Sequence, residues 1–202
     1  MDQGHKRIIL ASASPRRREL LSGLGLEFEV DTRNSFEESC EPETPAHEVP
    51  LLMARGKSHG FHRPLEEDEI LITADTVVIA KDAAGRTEVL GKPHSAEEAK
   101  RMLAGLSGRW HSVYTGVTMI DTRSGKTLSR ADVTRVHFVA LTAHDIDAYV
   151  ATGEPLDKAG AYGIQGRGGM FIDRIEGSYS NVVGLPMALV RSMLLELEKP
   201  QI

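Results

Sequence analysis

The chain holds a single cysteine, Cys40, among 202 residues. An internal disulfide and a cysteine-rich zinc site are thereby excluded, and a reducing compartment is the simpler expectation. Aromatic residues are few, at five Phe, one Trp and four Tyr, and positive charge is not in surplus, the formal net charge being -5. A surface that tracks a polyanion needs the opposite balance and rings on which bases stack, so a nucleic-acid polymer is not expected as a partner. Any phosphate-binding surface must be a local concentration of Lys and Arg in an acidic background, which suits a small anionic ligand. Long apolar runs are missing too. The run preceding Ser14-Pro15 is too short for a signal-peptide core and no stretch approaches a bilayer span, so a cytoplasmic protein without a membrane partner is expected.

With 41% apolar and 26% charged residues, the chain can bury one ordinary core or two small lobes sharing a sheet, and residues 1–202 read as one domain. No repeat or low-complexity tract interrupts it. An apolar run over 7–11 suits a buried strand; Ser14-Pro15 then supplies an N-cap and first-turn proline for a helix reaching Leu24, ended by Gly23 and Gly25. Leu26, Phe28 and Val30 alternate like a half-buried strand, and an acidic loop with Glu37, Glu38 and Glu41 follows. A helix is expected within 46–61, although Pro50 and Gly56 count against its regularity. The stretch 70–80 is apolar on both alternating faces, the pattern of a strand covered on both sides. Ser95 and Glu98 read as a capping box for a helix with the stripe Ala99, Met102, Leu103 and Leu106, stopped by Gly105 and Gly108. Strands over 112–121 and 127–139 flank a turn at Gly125, Thr142 and Asp145 cap a short helix, a long loop spans 154–169, a strand lies around 170–175, and 186–199 forms a terminal helix with Leu189, Met193 and Leu197 inward. Alternating strands and helices with one inserted hairpin predict an α/β fold with a mixed sheet.

Three features carry chemistry. In Ser12-Ala13-Ser14-Pro15-Arg16-Arg17-Arg18, a strand runs into a helix N-terminus, where free N–H groups and the positive dipole end attract an anion. Helical spacing against Leu20 and Leu21 sends Arg16 and Arg17 toward the core side and Arg18 outward. Cations there oppose the dipole, so two on the inner face call for an anionic partner; a solvated basic first turn is the alternative. Second, Asp75 interrupts the two-faced apolar strand, where an ionised carboxylate costs several kcal/mol unless something pairs with it. A metal-ligating or catalytic role fits, while a lysine salt bridge or a strand ending at Ala74 stays open. Glu38 and Glu37 could add oxygen ligands, and Lys57, Lys92 and Lys158 could neutralise phosphate. Third, the glycine-punctuated segment 154–166 is far longer than a tight turn requires, as functional loops commonly are, with a mobile surface loop as the alternative. Ser124-Gly125-Lys126-Thr127 imitates a phosphate-binding loop but reads as a hairpin turn, and His59 and His62 lack the companions a zinc site needs.

Taken together, LASASPRRRELL, ITADTVV, LGKP, EPLDKAGAYGIQG and GSYSNVVGLP resemble, in order and across about the whole chain, the motifs of the Maf (septum-formation protein) family. The resemblance implies an elongated mixed sheet with flanking helices forming two lobes around a central cleft, an architecture shared with inosine triphosphate pyrophosphatases. It implies hydrolysis of a nucleoside triphosphate to the monophosphate and pyrophosphate with a divalent cation, Mg²⁺ or Mn²⁺. By the same carry-over Asp75 is the proton acceptor and, with Glu38, a metal ligand; Arg16, Thr76 and Gln165 match positions tied to substrate choice. Ser12, Arg17, Lys57, Lys92, Asp157 and Lys158 fall at phosphate or cleft positions, although the family usually has a regular helix where Pro50 and Gly56 stand. The KAGAYGIQG form is similar to the subgroup acting on dTTP and UTP, with 7-methyl-GTP or another modified nucleotide as an alternative substrate and a nucleotide-binding regulator of division as an alternative role. Family members often pair, so the resemblance implies a homodimer as a candidate assembly.

Overall fold

The computed structural model describes residues 6–41, 43–82 and 84–199. In chain order the elements are β1 (Arg7–Leu10), α1 (Pro15–Ser22), β2 (Phe28–Val30), α2 (Val49–His59), β3 (Glu69–Lys81), β4 (Thr87–Leu90), α3 (Ala96–Leu106), β5 (Trp110–Asp121), β6 (Lys126–Phe138) and α4 (Ala143–Val150). Three 3-10 turns (Glu154–Asp157, Ala159–Ala161 and Arg167–Phe171) lead to β7 (Ile172–Glu176), α5 (Tyr179–Val183) and α6 (Met187–Leu197). The strands form one mixed sheet in the order β2-β1-β3-β5-β6-β7, with β4 also paired to β3. Among the described residues parallel pairing is confined to β1 with β2 and β3.

One property of β3 organises the molecule. Its edge toward β5 is paired from Ile70 to Ile79. Its other edge is shared: β1 takes Glu69 to Ile72, β4 takes Val78 to Lys81, and among the described residues no strand lies beside the backbone between them. The sheet therefore opens into a notch at 73–77, with Asp75 at its centre.

Packing repeats this division. Strand alternation puts Ile70, Ile72 and Ala74 in one core with Leu21, Leu185, Val190 and Met193, and puts Val78, on the same face, in a second core with Leu103, Phe138 and Tyr149. Thr76 sits on that face between the two cores, which form the two lobes. The opposite face of β3 is covered by α2, where Val49 and Met53 pack on Val77. Each fully buried leucine of these cores contributes about 1.5–3 kcal/mol. Among the described residues no helix is long and apolar enough to cross a membrane.

Several local expectations are corrected. Helix α2 is regular: Pro50 lies in its first turn, where a missing N–H is harmless, and Gly56 leaves room for the Phe36 ring, with which a Cβ would collide. The capping box at Ser95 is half formed; the Ser95 side chain accepts from the Glu98 N–H, but the Glu98 carboxylate reaches the His94 N–H at 2.7 Å instead of the cap's own. Gly105 lies inside α3 rather than ending it. The segment 154–171 is ordered into tight turns, while the short strand β4 and helix α5 carried too little periodicity to be anticipated.

Candidate active site

Helix α1 starts as its sequence demands, with Ser14 as N-cap and Pro15 in the first turn. Arg17 then runs inward through buried surroundings to the notch in β3. Its Nε donates to Gly184 O at 2.8 Å, Nη1 to Ala74 O at 2.9 Å and Ser12 Oγ at 3.2 Å, and Nη2 to Thr76 Oγ1 at 3.1 Å. Arginine has five N–H donors, so four bonds leave one free. Arg17 is thus chiefly a fixed positive charge that also stitches α1 to the unpaired β3 edge and to the turn before α6. Burial lowers its affinity for the proton, and the negative charge of Asp75 is the largest opposing influence. Ser12 is buried beside it. Arg18 is exposed, and Arg16 reaches across to Asp157 Oδ2 at 3.3 Å.

Asp75 points to the other face of β3, toward α2. Its side chain is 14% exposed, and Oδ1 lies 2.7 Å from Lys57 Nζ. The same ammonium is 2.7 Å from Glu38 Oε1. The cation beside Asp75 is this lysine, so the salt bridge that the sequence left open is formed, and Arg17 acts on the carboxylate only at longer range. Burial pushes the Asp75 carboxyl above the usual carboxylate range, although the charge and hydrogen bond of Lys57, then Arg17, pull the other way, and Glu38 adds to the rise. For Glu38, burial alone would raise the carboxyl, but Lys57, followed by Lys92 and Arg17, more than offsets it and holds it below the usual range. Two carboxylates sharing one ammonium are thereby driven in opposite directions by their surroundings.

Close backbone approaches place Lys57. A Cβ at Gly116, directly opposite Asp75 in the β3–β5 register, would collide with the Pro50 carbonyl, so glycine lets α2 lie flat on the sheet. The Thr73 hydroxyl donates to Ala54 O at 2.7 Å and fixes the helix along its axis. The Glu38 loop is held to α2 by Phe36 seated on Gly56 and by Asn34 Nδ2 donating to Lys57 O at 2.6 Å. Sequence reading missed Phe36, Gly116 and Thr115, whose hydroxyl lies 2.9 Å from that of Thr76; only the tertiary register reveals these roles.

The remaining expected residues divide. Lys158 Nζ donates to Glu154 O at 2.8 Å and to Asp157 Oδ1 at 2.5 Å, so Lys158, Asp157 and Arg16 form one charged row. Lys92, after β4, is exposed and enters only through its charge on Glu38. Gln165 is exposed on the turn after Gly163, and among the described residues its side chain makes no hydrogen bond to the Asp75 cluster. Glu37 is likewise exposed and outside the cluster, His59 is exposed, and His62 pairs with Asp31 at 2.8 Å.

The family model described as Maf-like protein matches residues 7–197. A dTTP/UTP pyrophosphatase of Gloeobacter violaceus is 44% identical over 193 residues, 96% of this chain and 97% of that protein. Those of Pelotomaculum thermopropionicum and Moorella thermoacetica are 48% and 49% identical, covering 94% and 93% of this chain and 95% and 93% of their own lengths. A solved HAM1 protein from Coxiella burnetii aligns over 94% of this chain and 98% of its own at 16% identity with a TM-score of 0.48, too distant to carry an argument. With a family match running from β1 to the end of α6 and near-full-length relatives at this identity, the chain belongs to the Maf-like protein family.

Proposed function

We propose that this protein hydrolyses dTTP and UTP to the nucleoside monophosphate and pyrophosphate, with Asp75 as the proton acceptor. The observation that carries the reading is a buried carboxylate, raised in proton affinity yet paired to Lys57, in the notch between two lobes. Relatives at 44% and 49% identity are named for this activity.

The donor set fits a hard divalent cation. Asp75 and Glu38 meet the Lys57 ammonium through Oδ1 and Oε1, which leaves Oδ2 and Oε2 to a cation beside it, and among the described residues no cluster of three or more His, Cys, Asp or Glu forms a protein-only cage. Mg²⁺ is commonly held in this way, by one or two carboxylates completed by substrate phosphates and water. Asp75 and Glu38 would hold Mg²⁺ or Mn²⁺, which when bound neutralises triphosphate charge.

The chain's own residues supply the rest. A carboxylate whose proton affinity is raised is a stronger general base than an exposed one, and Asp75 takes the proton of a water directed at the α-phosphorus. Lys57 keeps enough of Asp75 ionised to do so. Arg17, with Arg16, Lys92 and Lys158, stabilises charge gathering on the leaving pyrophosphate, and the prior anchoring of Arg17 by Ser12, Ala74, Thr76 and Gly184 means little reorganisation accompanies the reaction. The Gln165 amide offers donor and acceptor to a pyrimidine edge. A panel of triphosphates assayed with and without Mg²⁺ tests the proposal: UMP and intact pyrophosphate are expected from UTP, and release of orthophosphate with UDP would overturn the site of attack.

A further inference from the structure

The turns after α4 are knotted around two side chains that the chemistry above does not use. Glu154 Oε1 accepts hydrogen bonds from the Tyr149 hydroxyl at 2.8 Å and the Gly168 N–H at 3.3 Å, while Oε2 accepts from the Arg167 N–H at 3.0 Å. The Tyr149 oxygen accepts in turn from the Gly163 N–H at 3.2 Å. Both ends of the 163–168 turn are tied to one hydroxyl–carboxylate pair, and Gln165 lies between the tied ends. The glycines of this segment make the knot possible. A Cβ at Gly166 would collide with the Glu154 carboxylate, and one at Gly168 would stand 2.6 Å from the Tyr149 oxygen. Tyr149 is 1% exposed and packs edge-on against Phe171 with ring centres 5.1 Å apart, so the anchor is set in the core. Burial alone would raise the Glu154 carboxyl, but the Arg167 N–H, the Tyr149 hydroxyl and the Gly168 N–H outweigh it. The carboxylate stays ionised and its bonds are charge-assisted.

We infer that Tyr149 and Glu154 are positioning residues for base selection, holding the 163–168 turn and the Gln165 amide in a single shape without touching the phosphates. The inference rests on the reading above in which Gln165 meets the base.

Tyr149→Phe deletes the hydroxyl and keeps the ring; Glu154→Gln keeps the shape and turns a donor toward backbone N–H groups, and it serves should the first variant fold poorly. Two measurements decide: hydrogen exchange at the 163–168 amides, and dissociation constants for UTP, ATP and base-free tripolyphosphate. Faster exchange at 163, 167 and 168 is expected, with the UTP-over-ATP preference falling about tenfold, equivalent to about 1.4 kcal/mol, while tripolyphosphate binding stays constant. Gln165→Ala should lose the same preference. An unchanged preference in both clamp variants, equal weakening of all three ligands, a wild type without preference, or a Gln165→Ala variant that keeps it would each overturn the inference. Binding ratios need no turnover, so a wild type that fails to release pyrophosphate sinks the proposed function separately from the clamp.

Discussion

Replacing Lys57 by Gln isolates what the shared ammonium does. In the folded protein, burial raises the Asp75 carboxyl, and Lys57 is the largest influence opposing that rise, through charge and a 2.7 Å hydrogen bond. Both side chains are mostly buried, at 19% and 14% exposure, so solvent screens the pair only partly. A hydrogen bond between charged groups is worth about 1.5–3 kcal/mol, and losing that stabilisation of the ionised form should move the Asp75 titration upward. The sign is fixed: the base must be ionised, so the ascending limb of kcat/KM against pH moves to higher pH, and activity at neutrality falls more than activity at alkaline pH. Glu38→Gln is the control. Glu38 raises Asp75, so that variant should move the limb slightly downward. The assay is pyrophosphate release from UTP between acidic and alkaline pH at saturating Mg²⁺. A Lys57→Gln limb that stays in place while the rate falls equally at every pH would refute the argument and leave Lys57 as a phosphate contact only.

Three further outcomes follow from the same structure. Asp75→Asn should lower turnover by about a hundred- to ten-thousand-fold; because the folded carboxyl is raised above its unfolded value, its contribution to stability is full at low pH and is lost as pH rises through the folded value, so in urea titrations the wild type should lose stability relative to the variant as pH rises above about 4. Gly56→Ala gains about 1 kcal/mol of helix propensity, but its Cβ collides with the Phe36 ring, and overpacking of about 1–3 kcal/mol should win; calorimetry should show a lower Tm, and displacement of the neighbouring Glu38 should raise the Mg²⁺ concentration needed for half-maximal rate. His111 is 3% exposed, bonded through Nε2 to the Tyr162 hydroxyl at 2.8 Å, with Nδ1 unpartnered among the described residues. Burial, then His137, depresses its pKa from 6.5 to about 3, so stability should fall as pH drops from 6.5 toward 3, and a His111→Gln variant should show a flatter pH profile of unfolding.

Much of this protein was legible before any coordinates. The two-faced run around Asp75 read as a covered strand, because apolar residues on both alternating faces are the pattern of a strand buried on both sides. Helix α1, its cap and the outward turn of Arg18 followed from local chemistry and the helical period, which depend on residues three or four positions apart. Local rules also misled, at Pro50 and Gly56, where the first-turn position of the proline and the seat for Phe36 turn apparent defects into fits. What the chain order could not contain was pairing at a distance. That β1 and β4 stop short of each other along one edge of β3, that Gly116 stands opposite Asp75, and that Lys57 is the lysine that meets its carboxylate are consequences of register and of α2 lying on the sheet. Proton affinity belongs with these, since burial and partners assembled from separate segments set it, and neither exists in the unfolded chain.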